Sequence, residues 1–382
     1  MEVTLIKSEL FKSGGLEKYT WQIARDFCAL NIPVTLLTSG EVNPPFQDPL
    51  LNIVSLPVSH CLTVLNVIHF DRACSAYLKQ HKTPIIFSLD RNRFQTHIRA
   101  GNGVHAAYLQ QRSKEEGRAK QMSFALNPLH HTILALEKKA FEHKGLKLLF
   151  TNSLMVKEEI LDFYDIPPEK IVPIHNGVEW HAMRKAFELW ESEKESLLRQ
   201  FNLDPTAFQF LFIGHNFRRK GLEKLLRALS CIRSEHFQLN IIGKDKETKR
   251  FRQLAKDLDL EDKAVFWGPR KDTSSFYQIA DTLVIPSLYD PFANVTLEAL
   301  AMGVPVVSSK HNGGREILTP INGSIIESLE DSRVFAQVLR EALARPKNRS
   351  SAQIIRESVR HLDFSSQLRL MTKATLESID IM

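Results

Sequence analysis

The sequence predicts an α/β protein made of two doubly wound domains, each with a parallel sheet at its centre. Strand-like apolar runs alternate with helical patterns along the chain, which is typical of doubly wound folds. The connections between them are short, as in parallel βαβ units. With 382 residues the chain is longer than most single domains, and its two halves repeat the same βαβ rhythm.

The composition is that of a globular cytosolic protein. Hydrophobic residues make up 43% and charged residues 25% of the chain, which argues against long disordered tails. No apolar run approaches the ~20 residues of a membrane span, and the first ten residues lack the pattern of a signal peptide. The cysteines lie in or beside apolar segments without metal-ligand spacing, so we expect reduced, packed thiols. They are Cys28, Cys61, Cys74 and Cys231.

Positive charge is concentrated between Arg91 and Lys147, where eleven Lys and Arg stand against four Asp and Glu, a net charge of +7. One interpretation is a solvated helical face. The other is a surface that meets an anionic membrane or a phosphorylated acceptor. Nucleic acid is a poor candidate partner, because no nucleic-acid-binding motif accompanies the charge.

The first domain opens with an apolar strand, Val3 to Ile6, followed by Gly14-Gly15 and a helix. Apolar residues step by three or four from Leu16 to Leu30, so the helix begins at about Gly15. A strand, a glycine pair and a helix N-terminus can cradle a phosphate, because glycine lets backbone N–H groups approach closely. A simple turn is the alternative, since the chain has no GxGxxG fingerprint.

More strands and a helix complete this domain. We expect strands at Val34–Thr38, Asn52–Leu56, Pro84–Ser88, Leu146–Phe150 and Lys170–Ile174, a helix at Thr63–Gln80, and another helix that starts after an N-cap at Asn152 or Ser153 and stops at a Pro-Pro pair. The segment Asp90–Arg112 is predicted to be irregular and then helical, with a tight glycine loop before His105. A histidine at such a place is more often packed or capping than catalytic. The HNGV turn at 175–178 is either a plain strand exit or part of a ligand site.

The second domain begins with a strand at Phe208–Ile213 and the loop GHNFRRKG. Arg219 and Lys220 lie just before a helix with an apolar face, which favours an anion by charge and by helix dipole. A basic surface helix start is the alternative. The further strands predicted are Gln238–Ile242, Ala264–Trp267, Leu283–Ile285 and Pro305–Ser308, with helices at Glu247–Leu258, Thr273–Ala280, Asp331–Ala344, Ala352–Arg360 and Ser365–Ser378.

The most informative stretch is Thr282 to Glu316, which has the pattern of a strand, the loop DPFAN, a helix from Asn294 and a second strand. Asp290 and Glu298 are separated by seven residues, and Glu298 is an i, i+4 neighbour of Asn294 at the helix start. A helix N-terminus attracts anions. Two carboxylates beside it therefore suggest a ligand with hydroxyls and phosphates, such as a nucleotide sugar. An acidic surface turn that caps a helix is the alternative.

This stretch resembles the donor-site signature of retaining GT-B-fold glycosyltransferases of family GT4, which is written as two Glu separated by seven residues. Asp290 takes the place of the first Glu, and Ala293 takes the place of a common Gly. The resemblance implies that Asp290 holds hydroxyls of the donor sugar and that Glu298 holds the ribose diol. The other residues it makes donor-binding here are Phe292, Ala293, Asn294 and Thr296.

The same resemblance assigns roles to the other loops. It implies that the Gly14-Gly15 loop faces the donor diphosphate, that Lys220 and Arg219 stabilise its charge, and that Arg270 lies near the nucleotide base. His215 stands next to Gly214 where the family has an Arg. The region around His105 resembles that of bacterial lipopolysaccharide-core glucosyltransferases, which carry an Asp at the position of Asn102. The catalytic candidates are Asp290, Lys220, Arg219 and His105, and the donor-binding candidates in these loops are Gly14, Gly15, Gly214, His215 and Arg270.

We therefore expect a retaining, metal-independent hexosyltransferase without a cofactor. The resemblance implies that the donor is a nucleotide-diphosphate sugar, namely a UDP-sugar, and that the acceptor is a saccharide or glycolipid of the lipopolysaccharide core or cell envelope. A GT-B-fold nucleotide-sugar epimerase and a non-catalytic glycan- or lipid-binding protein are the alternatives. The predicted domains are 1–178, with 363–382 packing back on it, and 179–362. We expect a cytoplasmic protein, peripheral on the inner face of the membrane.

Overall fold

The computed structural model describes residues 1–10, 15–58, 63–115, 124 and 126–380. The chain forms two compact units: Met1–His175 together with Ser365–Met382, and Asn176–Phe364. The junctions lie within three residues of the predicted domain limits. The second unit starts at Asn176 because Val178 pairs with Asp363, and the N–H of Val178 donates to Leu362 O at 3.0 Å.

The first unit is built on a seven-stranded sheet in the order β3-β2-β1-β4-β5-β6-β7, in which every pair is parallel. Its strands are β1 (Val3–Ile6), β2 (Val34–Ser39), β3 (Leu51–Leu56), β4 (Ile85–Ser88), β5 (His97–Arg99), β6 (Leu148–Thr151) and β7 (Ile171–Pro173). Its helices are α1 (Gly15–Ala29), α2 (Thr63–Gln80), α3 (His105–Glu115), α4 (Pro128–Phe141), α5 (Leu154–Phe163) and the C-terminal α13 (Phe364–Asp380). Every residue of β1 and β2 is buried, as expected for a sheet covered on both faces.

Two elements of this unit are absent from the sequence prediction. Strand β5 lies in the segment that the sequence predicts to be irregular. The pattern misses it because two of its three buried residues, His97 and Arg99, are polar. Helix α4 had a local signal: Asn127 caps it by accepting from the Leu129 N–H at 2.9 Å, and Pro128 is at the first helical position.

Helix α13 packs within the first unit through polar contacts as well as apolar ones. The Ser378 hydroxyl lies 2.8 Å from His97 Nε2, and Lys147 Nζ donates to Ser378 O at 3.4 Å. His97 is fully buried, and its Nδ1 lies 2.9 Å from the Thr96 hydroxyl. Both imidazole nitrogens therefore have partners on the protein.

The second unit has a six-stranded parallel sheet in the order β10-β9-β8-β11-β12-β13. Its strands are β8 (Phe208–Ile213), β9 (Phe237–Ile242), β10 (Ala264–Gly268), β11 (Thr282–Ile285), β12 (Val306–Ser309) and β13 (Gly323–Ile326). Its helices are α6 (Arg184–Gln200), α7 (Leu222–Ser230), α8 (Thr248–Asp257), α9 (Ser274–Ile279), α10 (Asn294–Ala301), α11 (Ser332–Leu343) and α12 (Arg349–Ser358). The predicted apolar face of α7 is confirmed, because Leu222, Leu225, Leu226 and Leu229 are all buried.

Strand β13 was not predicted, since its four residues include a glycine and an exposed serine.

The prediction for the cysteine thiols is partly confirmed. Cys28 and Cys74 are buried, but Cys231 is exposed, so its prediction as a packed thiol is wrong. The reason is that Cys231 caps the C-terminus of α7, after the last buried leucine of that helix. Cys61 lies outside the described residues.

The basic segment 91–147 is less outward-facing than its composition indicates. Arg91 pairs with the buried Glu137, Arg93 pairs with the buried Asp71, and Arg99 is itself buried. The exposed cations include Lys138, Lys139 and Lys144, around the end of α4. No helix in the described part of the chain has both the length and the apolar character needed to cross a membrane.

The buried His97 predicts a specific dependence of stability on pH. Burial, and secondarily the charge of Lys147, lower the pKa of His97 to about 3. The unfolded chain binds a proton at a pKa of about 6.5, so between pH 6.5 and 3 the unfolded state holds more protons and stability falls as pH falls. We expect His97→Gln to reduce the slope of the free energy of unfolding against pH by up to about 1.4 kcal/mol per pH unit. Urea unfolding of both proteins at pH 6.5 and 5.0 checks this; parallel losses of stability would contradict it.

Candidate functional site

The predicted donor-site residues of the second unit gather at the carboxyl edge of its sheet. The loops after β8, β11 and β12 lie side by side there, because β11 pairs with β8 on one side and with β12 on the other. Ligands of doubly wound sheets bind at this edge. The structure therefore brings together residues that are distant in the sequence, such as Arg219 and Asp290, which are 71 positions apart.

Asp290 is at the centre of these loops and pairs with two cations. Its Oδ2 accepts from Lys220 Nζ in a short contact and lies 3.4 Å from a guanidinium nitrogen of Arg219. The same nitrogen of Arg219 donates to Tyr289 O at 2.9 Å. Asp290 is 6% exposed. Three of the four predicted catalytic residues therefore form one ion-pair cluster around a buried carboxylate.

Charge outweighs burial at Asp290. Burial alone would raise the pKa of this carboxyl group, but Lys220 and Arg219 act in the opposite direction, together with hydrogen bonds from Lys220 and the backbone. The pKa of Asp290 is consequently held below its usual value. The carboxylate is ionised at neutral pH, and it fixes the positions of two positive charges at the sheet edge.

The loop that carries these cations requires a glycine. Gly221 precedes α7 with φ +77°, and a Cβ there would lie 1.8 Å from Pro286 O, in the loop after β11. The N–H of Leu288 also donates to Arg219 O at 2.8 Å. These contacts hold the β8 and β11 loops together, so that Lys220 reaches Asp290.

Asn312 organises the site, although no sequence signal had singled it out. Its Oδ1 accepts from the backbone N–H groups of Ala293, at 3.0 Å, and Gly314, at 3.1 Å. Its Nδ2 donates to the Ser308 hydroxyl at 2.9 Å. The side chain is completely buried, so it ties the DPFAN loop to the loop after β12. An Asn followed by Gly-Gly after a strand is the only local hint of this role.

Helix α10 begins at Asn294, as predicted. Its N-cap, Ala293, provides no side-chain cap, and the Asn294 Oδ1 accepts from Asn176 Nδ2 at 2.6 Å. The HNGV turn thus contacts the donor loop through Asn176. Phe292, Ala293 and Thr296 are buried, and their contact with a donor stays a prediction.

Glu298 lies half-buried on α10 and accepts a hydrogen bond from Tyr277. The Tyr277 hydroxyl is 2.8 Å from Glu298 Oε2. Burial, followed by the charge of Glu298, raises the pKa of Tyr277 well above its usual value. The phenol stays protonated and donates to the carboxylate.

The remaining donor-site candidates of this unit lie on neighbouring loops. His215 is exposed beside Gly214, and its Nδ1 accepts from the Lys244 N–H at 3.1 Å. Arg270 is exposed, with its guanidinium 5.7 Å from the ring centroid of Trp267. The Trp267 indole N–H donates to Asn240 Oδ1 at 2.9 Å. Direct contact of His215, Gly214 and Arg270 with a ligand stays a prediction.

His105 belongs to the first unit, where it is the first residue of α3. Glu137, on α4, is fully buried and accepts from the His105 N–H, from Arg91 and from the Tyr164 hydroxyl. His105 Nε2 lies 3.0 Å from His130 Nδ1. Burial, and then the charge of Arg91, lower the pKa of His105 to about 4, so the ring is neutral at pH 7.

Of the predicted glycine pair, Gly15 is the first residue of α1, and Gly14 lies outside the described residues.

The first unit also has a cavity of about 280 Å³ at the carboxyl ends of β1, β2 and β4. Its polar wall includes Ser39 and Asn92, and its apolar wall includes Phe70. On one side Asp90 accepts from Lys7 Nζ at 2.9 Å and from the Ser8 hydroxyl at 2.7 Å. No group of three or more metal-ligating side chains occurs within the residues described.

Two family models match the chain. Residues 13–180 match Glycosyltransferase Family 4, and residues 193–358 match Glycosyl transferases group 1. The chain is a GT-B-fold glycosyltransferase of family GT4. This confirms the family predicted from the Asp290–Glu298 signature, and the two parallel sheets confirm the predicted fold.

Two curated relatives indicate the range of the similarity. The lipopolysaccharide glucosyltransferase WaaG of Escherichia coli is 24% identical over 355 residues, which are 90% of each chain. The uncharacterized glycosyltransferase MJ1607 of Methanocaldococcus jannaschii is 35% identical over 183 residues, but the match spans only 46% of this chain and 45% of the relative.

Solved structures share the fold over the full length. A crystal structure of WaaG, described as involved in lipopolysaccharide biosynthesis, has a TM-score of 0.78 at 21% identity and covers 98% of this chain and 99% of its own. The structure of Anabaena HepE in complex with UDP-glucose has a TM-score of 0.66 at 16% identity and covers 99% and 100%.

The role of Asn312 can be tested by truncation. Asn312→Ala leaves the N–H groups of Ala293 and Gly314 without their acceptor in a buried loop, so we expect a loss of about 1–3 kcal/mol in the free energy of unfolding. Ser324→Ala, at an exposed position of β13, should change it by less than about 0.5 kcal/mol. Urea unfolding measures both; equal, small effects would contradict the role assigned to Asn312.

Proposed function

We propose that this glycosyltransferase moves a hexose from a UDP-sugar to a saccharide or glycolipid acceptor, with retention of the anomeric configuration. The supporting observation is the cluster of Arg219, Lys220 and Asp290 at the sheet edge, with Glu298 on the adjoining helix. It offers positive charge for a diphosphate and carboxylates for hydroxyl groups. The binding of UDP-glucose by HepE, which shares the fold, favours uridine as the nucleotide.

The proposed chemistry is a front-face substitution. The bond between the anomeric carbon and the β-phosphate oxygen breaks, and the acceptor oxygen bonds to the same carbon. The acceptor proton passes to the departing phosphate oxygen, so no separate protein base is needed. Negative charge builds on the diphosphate as the bond breaks, and Lys220 and Arg219 stabilise it.

Asp290 then has two roles in this proposal. As the predicted counterpart of the first signature Glu it holds sugar hydroxyls, and as the partner of Lys220 and Arg219 it keeps both cations in place before the donor binds. Holding charged groups in position beforehand lowers the reorganisation needed in the transition state. Because the carboxylate is ionised at neutral pH, it accepts hydrogen bonds from hydroxyls without first losing a proton.

The acceptor is proposed to bind the cavity of the first unit. Hydroxyl, amide and carboxylate groups on one side, and Val67, Phe70 and Leu136 on the other, match the polar edges and apolar face of a sugar ring. The buried Oδ1 of Asn66, also at this cavity, is an acceptor without a hydrogen-bond partner in the described structure. The similarity to WaaG favours a saccharide of the lipopolysaccharide core.

A donor screen with one matched pair of variants tests the function. We expect hydrolysis or transfer with a UDP-hexose, undiminished by EDTA, because charged side chains take the place of a metal. Lys220→Ala should lower kcat by about 10²–10³-fold with a smaller change in KM, since its charge matters most in the transition state. Lys224→Ala, which removes another lysine of α7 that pairs with Glu330 at 2.9 Å, should have little effect.

Three results would contradict this proposal. Activity lost on chelation and restored by Mg²⁺ would show that the charge-stabilising group is a metal. Epimerised nucleotide sugar without transfer would make the protein an epimerase. Sugar binding without turnover of any nucleotide sugar would make it a non-catalytic binding protein.

We also propose that the enzyme is cytoplasmic and attaches peripherally to an anionic membrane through Lys138, Lys139 and Lys144. Phe94, an exposed aromatic residue, packs edge-on against His143 beside these lysines. Each lysine close to an anionic bilayer contributes about 1 kcal/mol, and salt screens the attraction.

Sedimentation with vesicles tests the attachment. The wild-type chain should pellet with anionic vesicles at low salt and be released at high salt, and Lys138→Glu, Lys139→Glu and Lys144→Glu together should abolish pelleting. The same charge change on the second unit, at Lys185, Lys249 and Lys256, is the control. Equal pelleting with neutral vesicles, or equal loss in both triple variants, would rule out this surface.

A further inference from the structure

Tyr277 is a buried residue that touches the donor site although it belongs to no signature of it. It is 1% exposed and lies on α9, a helix of six residues between β10 and β11. Its hydroxyl donates to Glu298 Oε2 at 2.8 Å, across to α10. The phenol cannot give up its proton at neutral pH, so the hydrogen bond has one direction only.

We propose that Tyr277 is a positioning residue that orients the Glu298 carboxylate and thereby sets the preference for a ribonucleotide over a 2′-deoxyribonucleotide donor. The inference rests on the proposed function, in which Glu298 binds the ribose diol. A glutamate side chain has three rotatable bonds, and its carboxylate is poorly placed for a diol unless a partner restricts it. Tyr277 is such a partner, since its ring is fixed in the core.

The anchoring of Tyr277 comes from several sides. Its backbone carbonyl accepts from Lys347 Nζ at 3.3 Å, and Lys347 is itself buried, with Nζ 4.2 Å from the ring centroid of Trp190. The next residue, Gln278, donates to Ala186 O at 3.0 Å. These contacts hold α9 to the rest of the second unit and leave the Tyr277 hydroxyl little freedom to move.

Helix α9 also supports a second donor-site loop. Phe276 packs against Trp267, with ring centroids 5.4 Å apart, and Trp267 lies in β10, just before the loop predicted to meet the nucleotide base. Adjacent residues of one short helix therefore contact a base-side residue and the proposed ribose carboxylate. This arrangement fits a helix that keeps two nucleoside contacts at a fixed separation.

The consequence is a selective effect on ribose recognition. A carboxylate that is correctly oriented accepts from both ribose hydroxyls, and a donor that lacks the 2′-hydroxyl leaves part of it unpaired. Without Tyr277 the carboxylate samples other orientations, so the ribonucleotide loses more binding than the deoxyribonucleotide does. A purely structural role would weaken the binding of both nucleotides equally.

The experiment measures Kd for UDP and 2′-deoxy-UDP by calorimetry with the whole chain. We expect the wild type to prefer UDP by about 10-fold or more, the gain from a hydrogen bond to a charged group. Tyr277→Phe fills the same space and should reduce that preference by about threefold or more, chiefly through weaker UDP binding. In a Glu298→Gln background the Tyr277→Phe change should have no further effect on the ratio.

Tyr164→Phe is the matched control. It removes a tyrosine–carboxylate hydrogen bond of 2.6 Å, from the half-buried Tyr164 to the buried Glu137 of the first unit, and should leave the UDP preference unchanged. A wild-type preference that Glu298→Gln abolishes and Tyr277→Phe leaves intact would overturn the inference alone. Failure of the wild-type chain to bind either nucleotide would overturn the proposed UDP donor and, with it, the inference.

Discussion

The buried carboxylate of Asp290 is the interaction on which the second unit's functional edge depends. Its side chain pairs with Lys220 and Arg219 of the β8 loop, its N–H donates to His311 O at 2.9 Å, and its own carbonyl accepts from the Gly313 N–H at 2.9 Å. One residue thus joins three loops. An unpaired charge at this depth would cost several kcal/mol, so the loops are held in the arrangement that keeps it paired.

A buried carboxylate organises the first unit in a similar way. Glu137 accepts from the N-terminus of α3, from Arg91 and from Tyr164, and so joins three separate segments of the chain. Such networks favour one arrangement strongly, because removing any donor leaves a buried charge partly unsatisfied. His105 owes its position to this arrangement, since its backbone, and not its ring, contacts Glu137.

Local patterns were enough to predict most of the fold, but not contacts between distant residues. The apolar strands and the leucine face of α7 carry periodic signals, and the Asp290–Glu298 spacing pointed to the family. Strand β5 could not be predicted from the sequence pattern, because its buried residues His97 and Arg99 are polar and their partners come from other elements. The roles of Asn312, Glu137 and Tyr277 depend on neighbours that only the folded chain supplies, and no spacing rule reveals them.

The position of α13 has a consequence for the order in which the chain can fold. The second unit is continuous from Asn176 to Phe364, whereas the first needs both ends of the sequence. During synthesis the second unit is complete before α13 has emerged from the ribosome, and α13 carries Ser378, the partner of His97. Domains usually fold from the N-terminus as they appear. Here the N-terminal unit lacks the partner of His97 and of Lys147, Ser378, until α13 has been made.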